Sequence, residues 1–163
     1  GSRSKQGAAS LLLRDILSRI VTALGADAKE VQTALYQSML LSVDVAHALH
    51  PNQPGKMDVT NQPVLNGGFC LKEASSQSYA TDCKAVAIVQ QICEANGISY
   101  QKFVNRSDIA GGSTLGAIAS ALLPVPTVDL GIPVLAMHSA REMMGTNDIG
   151  SLTACIRAWY GMQ

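Results

Sequence analysis

The sequence predicts an α/β domain built around a mostly parallel β-sheet. Short apolar runs suited to strands alternate with longer stretches that carry apolar residues at helical spacing, the pattern of βα units. Hydrophobic residues make up 47% of the 163 positions and aromatics only 4%, so one sizeable core packed by Ala, Leu, Ile and Val is expected. Polar residues also gather just beyond the predicted strands, where α/β sheets bind their ligands; Asp44, Asp108 and His138 occupy such positions.

From Ala8 to Leu24 the apolar residues Leu12, Leu13, Ile16, Leu17, Ile20, Val21 and Leu24 define one helical face, and Gly25 can close it. Asp27 and Glu30 form a capping-box pair for a second helix reaching to about Ser38. Met39 to about Ala46 reads as a strand. Residues 51 to 68, with Pro51, Pro54, Pro63, Gly55, Gly67 and Gly68, read as a long loop of the kind that is functional or mobile. A short strand over Gly68 to Leu71 is followed by a helix from Thr81 or Asp82 that stops at Asn96-Gly97. Tyr100 to Val104 is a strand, Asp108 to Ser113 a Gly-rich loop, and Leu115 to Leu122 a short helix closed by Pro124 and Pro126. Thr127–Leu130 and Val134–Met137 read as two short strands separated by Gly131-Ile132-Pro133, and Asn147 to about Trp159 as a final helix capped by Asn147 or Asp148. No internal repeat or low-complexity tract is visible.

Charge and apolar patterning exclude several classes of function. Twelve basic and twelve acidic residues give a formal net charge of zero without a basic stripe, so no nucleic-acid partner is expected. The apolar runs fall short of the roughly 18 residues a membrane span needs, so no membrane partner is expected, and no secretory leader is visible at the start. The four cysteines, Cys70, Cys83, Cys93 and Cys155, are widely spaced with no C-x-x-C pair, which suits reduced thiols and a cytoplasmic setting.

Chemistry-bearing residues concentrate in Ser42-Val-Asp-Val-Ala-His-Ala-Leu-His-Pro-Asn52, which holds Asp44 and two of the three histidines, His47 and His50. A carboxylate and neutral imidazoles are good zinc ligands. Three-residue spacing puts them on one face of a helical turn but on opposite faces of a strand, so convergence requires the strand to end near Asp44. The plain alternative is a turn-capping aspartate beside ordinary loop histidines. His138, after the last apolar run, is by itself as consistent with a hydrogen-bonded histidine as with a ligand, and Arg141 and Glu142 nearby suit a surface ion pair. In Asp108-Ile-Ala-Gly-Gly-Ser-Thr-Leu-Gly116, close glycines with Ser113 and Thr114 can bring backbone and hydroxyl donors to a ligand, or simply form a tight turn. The loop has neither the Walker A ending nor a dinucleotide fingerprint. Lys72 is a candidate anchor for a substrate carboxylate, or else a solvated lysine.

Four segments together resemble the aspartyl aminopeptidase and vacuolar aminopeptidase I family of zinc metallopeptidases. They are Gly1-Ser-Arg-Ser-Lys-Gln-Gly-Ala8, Asp44 to Asn52, Gly111 to Gly116, and Asp129-Leu-Gly-Ile-Pro-Val-Leu-Ala-Met-His-Ser-Ala-Arg-Glu142, in the family's order. The resemblance implies a three-layer α/β/α catalytic domain with a two-zinc site and a second, inserted domain used in oligomerisation. It also implies removal of N-terminal, often acidic, residues from peptides, and homo-oligomers that are commonly dodecamers. Carried across by position, Asp44 and His138 match ligands to the two zincs. His47 matches a histidine close to the substrate, His50 a supporting one, Lys72 a lysine that meets an acidic side chain, and Gly112, Ser113 and Thr114 the substrate-lining loop.

The same resemblance places a glutamate pair, general base and zinc ligand, directly before the Gly-Ser of this sequence, with further ligands upstream. Residues 1–163 are thus expected to be the C-terminal part of one catalytic domain, without the base or the inserted domain, inactive alone and weak in zinc binding. No catalytic residue proper is expected among them. The loop Asn52-Gln-Pro-Gly-Lys56 departs from the family, where an aromatic commonly follows the asparagine. From a different class, a non-catalytic fragment or pseudo-enzyme acting in self-association fits the incomplete ligand set, and a mononuclear hydrolase using Asp44 and a histidine is a third reading.

Overall fold

Side-chain capping acts where the sequence places it in the second and third helices. The structure, a computed structural model, describes residues 1–162. Helix α1 spans Leu12–Ala23 and α2 spans Ala28–Tyr36, the latter opened by the Asp27–Glu30 capping box with both reciprocal bonds formed. Helix α3, Cys83–Asn96, starts at Asp82, whose carboxylate accepts the Ala85 N–H, and stops at Gly97 in the left-handed conformation. Helix α4 covers Leu115–Leu122 behind the Thr114 cap, and α5 covers Thr146–Tyr160. The strands are β1 (Leu40–His47), β2 (Phe69–Glu73), β3 (Tyr100–Val104), β4 (Thr127–Leu135) and the two-residue β5 (Met143–Met144).

The sheet runs β1-β4-β2-β3, with β5 paired to the end of β4. Parallel pairing joins eight residues of β1 to β4 and five of β2 to β3, while β2 meets β4 antiparallel over three. The sheet is therefore mostly parallel, as expected, with an antiparallel junction at its centre. One face carries the main core: Phe69, Leu71, Val128 and Leu130 pack against Ala85, Val89 and Cys93 of α3 and Leu152 and Cys155 of α5. The other face is covered in part by α4, which approaches closely because Gly116 has no side chain; a Cβ there would lie 2.6 Å from Asp129 Oδ1 and from Ser42 Oγ. Among the described residues no helix is long and apolar enough to cross a membrane.

Three expectations are corrected. Thr127 to Leu135 form one strand instead of two flanking Gly131-Ile132-Pro133. Leu40 donates to the Pro126 carbonyl and Ala48 to that of Val134, so the even-numbered peptide groups of β4 face β1 and Pro133 points the other way. On that side β2 has already ended at Gly131 and β5 begins only at Val134, so the missing N–H breaks no ladder bond. Helix α5 starts at Gly145 without a side-chain cap, because the fully buried Asp148 is committed elsewhere: its two oxygens accept the N–H groups of Asn66 and Gly68, both at 2.8 Å. Helix α1 begins four residues later than its periodicity suggests and buries none of its residues; Leu12, Ile16 and Ile20 are 41%, 45% and 52% exposed.

Candidate active site

A row of residues in register crosses the sheet on the face under α4: Ser42 on β1, Asp129 on β4, Lys72 on β2 and Phe103 on β3. Lys72 lies within β2 and is 3% exposed, so it is not the solvated lysine of the plain reading. Its ammonium donates to Asp44 Oδ1 at 2.7 Å and to the Val45 carbonyl at 3.0 Å. Asp44, whose side chain is 39% exposed, forms the wetter end of this pair. Burial pushes its carboxyl above the usual range and nearby Asp129 adds to that, while the bond and charge of Lys72 pull it back. The Lys72 ammonium also stands over the Tyr79 ring, 4.7 Å from its centre.

Strand β1 continues through His47, so no helical turn gathers Asp44, His47 and His50. That grouping is corrected: Asp44 meets Lys72, whereas the two histidines line a cleft of about 470 Å³ with Phe103, Asn105, Arg106 and Gly112. A cleft of that size suits a small peptide end. Burial holds the His47 imidazole below its ordinary value, and the charges of Lys72 and His138 add to the effect. It is accordingly neutral near pH 7. His50 Nδ1 accepts the Asn52 N–H at 3.2 Å and braces the turn at Pro51. His138 is exposed in the turn after β4, at a positive φ of 69° close to Ala136 at 55°; two such non-glycine residues mark a held conformation. The Glu142 carboxylate accepts the His138 N–H, in place of the expected pairing with Arg141. Arg106 forms a two-pronged pair with Asp108, which takes that aspartate out of the site.

The glycine loop divides by role. Gly111 and Gly112 line the cleft, while Ser113 is exposed and absent from its wall. Thr114 is 3% exposed and its hydroxyl accepts the Ala117 N–H at 3.2 Å, so it caps α4 and does not reach toward a ligand. Burial pushes the Cys70 thiol up to about 12, which rules it out as a nucleophile at neutral pH. All four cysteines are free.

Asp129, Tyr79 and Asn105 were not singled out as site residues by sequence. Asp129 is fully buried; Oδ2 accepts the Ala80 N–H at 2.6 Å, and Oδ1 has no hydrogen-bond partner. Asn105 donates to the Tyr79 hydroxyl at 2.9 Å. The signal available for Asp129 was an acidic residue inside an apolar strand, whose peers normally read Val, Ile or Leu. Among the described residues no three His, Cys, Asp or Glu side chains converge as a metal site. Asp44 and His138 nevertheless lie on or just beyond the parallel strands β1 and β4, near their C-terminal ends, and offer one oxygen and one nitrogen donor of the type zinc accepts.

The family profile described as Aminopeptidase I zinc metalloprotease (M18) matches residues 1–160. The chain belongs to the M18 aminopeptidase family. An M18 family aminopeptidase 2 from Clostridium acetobutylicum is 47% identical over 148 residues, 91% of this chain and 34% of that protein. Another from Mycobacterium tuberculosis is 41% identical over 163 residues, 100% of this chain and 38% of the relative. The M18 fold is equally evident in solved structures. The crystal structure of prApe1 matches with a TM-score of 0.92 at 31% identity, over 98% of this chain and 34% of that one. The S. cerevisiae mApe1 dodecamer matches with a TM-score of 0.83 at 29% identity, over 98% and 35%. This chain thus spans a little over a third of the length of the M18 relatives it matches.

Proposed function

We propose that these residues are the C-terminal part of the catalytic domain of a zinc aminopeptidase that removes N-terminal, preferentially acidic, residues from peptides. The observation that carries the reading is the buried Lys72 ammonium, bonded to Asp44 and in register with the cleft residue Phe103 on the neighbouring strand. A buried cation beside a peptide-sized cleft is a ready partner for a substrate carboxylate.

In this reading Asp44 and His138 each hold one of two zinc ions, with the remaining donors and the general base supplied by residues outside this chain. Zinc when bound supplies Lewis-acid polarisation of the scissile carbonyl and a more acidic bound water. The chain's own residues bind and orient. Lys72 receives the acidic side chain, neutral His47 accepts or donates a hydrogen bond at the cleft edge, and His50 keeps the Pro51 turn in shape. Gly111 and Gly112 let the peptide backbone approach the loop, with Ser113 at its edge. The limited share of the relatives' length and the dodecameric neighbour support a longer, homo-oligomeric protein, and four free thiols support a cytoplasmic setting. The pseudo-enzyme reading is less favoured because keeping the Lys72 ammonium buried is costly without a ligand to serve.

Two measurements test the proposal. The intact protein is expected to release N-terminal Asp or Glu faster than neutral residues, and to lose that activity on metal chelation and regain it with zinc. Lys72→Ala in the intact enzyme is expected to raise KM for the acidic substrate by about tenfold or more while changing the neutral one little. An equal effect on both substrates rejects the anchoring role.

A further inference from the structure

We propose that Lys56 is a specificity residue for a carboxylate that the substrate carries beyond the bond to be cut. That carboxylate is received in the cleft between the Pro51 turn and the glycine loop. The inference rests on the aminopeptidase reading and names a second feature of the substrate, separate from its N-terminal side chain.

The cleft is one-sided in charge. Among the described residues lining it there is no Asp or Glu, whereas Lys56 and Arg106 both stand in its wall. A cleft lined by one sign of charge draws in a ligand of the opposite sign. Only one of the two cations is free to act. The Arg106 guanidinium donates to the Gly55 carbonyl and forms the two-pronged pair with Asp108, whose charge offsets its own. The Lys56 ammonium, with three N–H donors, enters no ion pair among the described residues.

A surface lysine is ordinarily just solvated, and what sets this one apart is how its backbone is held. Lys56 closes the 3₁₀ turn Pro54–Lys56, and its N–H donates to the Gln53 carbonyl at 3.1 Å. On one side, Arg106 reaches across from the facing loop to the Gly55 carbonyl. On the other, Met57 is 8% exposed and packs with Ala46, Cys70 and Phe103. Clasped by Arg106 and anchored by Met57, the turn presents Lys56 at the cleft with little backbone left to order on binding.

Position decides which part of a peptide meets this lysine. His47 belongs to the same wall and lies within range of the charges of Lys72 and His138, so the cleft adjoins the proposed anchoring and metal groups. With the N-terminal residue held at those groups, the rest of the peptide is what the cleft receives. Its carboxylate is either the C-terminus of a short peptide or an acidic side chain after the cut bond.

The test measures kcat and KM of the intact zinc enzyme on two pairs of peptides that share an N-terminal Asp. Asp-Ala-Ala is compared with its C-terminal amide, and Asp-Glu-Ala-amide with Asp-Gln-Ala-amide. In at least one pair the member with the extra carboxylate is expected to have a KM about three- to fivefold lower, with kcat little changed. The pair that responds tells a C-terminus from a side chain. Lys56→Ala is expected to erase the difference by raising KM of the carboxylate member alone, and Lys56→Arg to keep it. Lys56 is exposed, so both variants are expected to fold. Added salt should shrink the preference of the unmodified enzyme. A preference that survives Lys56→Ala overturns the proposal, as does an equal rise in KM for both members of a pair. If the enzyme cuts none of the peptides, the aminopeptidase reading falls and this inference with it. Cleavage with no preference in either pair defeats the Lys56 role alone.

Discussion

Asp44→Ala in the intact enzyme is expected to lower kcat/KM by at least about 10³-fold and to reduce bound zinc. In the proposed site this carboxylate is a metal ligand. In the structure it is also the counter-charge of the 3%-exposed Lys72, so its loss strands a buried ammonium. Breaking a buried pair costs about 3–5 kcal/mol. Because the Asp44 side chain is 39% exposed and partly screened, about 2 kcal/mol is the expected loss of stability. The two effects separate in a double variant. Asp44→Ala with Lys72→Ala removes both charges and should recover most of the stability, read by chemical denaturation, but none of the activity. Recovery of activity along with stability would show that Asp44 serves only Lys72.

Asp148→Ala is expected to cost more in stability than any other single change named here. The carboxylate is fully buried and accepts two backbone N–H groups, from Asn66 and Gly68, at 2.8 Å each. Each donor left unsatisfied costs about 1–3 kcal/mol, and bonds to a charged acceptor lie at the upper end. A loss of about 4 kcal/mol follows, against a typical total of about 5–15 kcal/mol for a domain. Asp148→Asn keeps an acceptor oxygen and should lose roughly half as much. A shift in denaturation midpoint of the same small size for both variants would mean that the loop is held by other contacts. Activity should follow stability in this case, with KM unchanged in the fraction that stays folded.

The contrast between Asp44 and Asp148 also shows what the sequence could convey. Helix limits were legible wherever a local signal decided them: the Asp27–Glu30 box, Asp82 as cap, and Gly97 as stop. Asp148 was misread for the same reason, since it stands where a cap should, and its partners lie 80 and 82 residues away. Gly131-Ile132-Pro133 looked like a break because proline forfeits a donor, yet the donor would have faced an unpaired side of the strand. Asp44, Lys72 and His138 were assigned roles through family resemblance, whereas spacing alone suggested a compact Asp-His-His cluster that the continuing strand prevents. Tyr79 and Asn105 were not identifiable, because what they touch is set by tertiary packing alone. Helix α1 shows the converse case. Its apolar face was plain in the sequence, but periodicity says which side is apolar and not what covers it.

The position of β4 has a consequence for how the chain is made. Strands β1 and β2 are synthesised early but are not neighbours; β4, between residues 127 and 135, fits between them. Until it leaves the ribosome, β1 has no partner and β2 can pair only with β3. Nearly all of the ladder bonding therefore waits on contacts distant in sequence, a topology that folds slowly. During that interval the apolar edge at Leu40–Val43 is open to association with other nascent chains. A truncation ahead of residue 127 would thus be expected to aggregate instead of yielding a smaller folded unit.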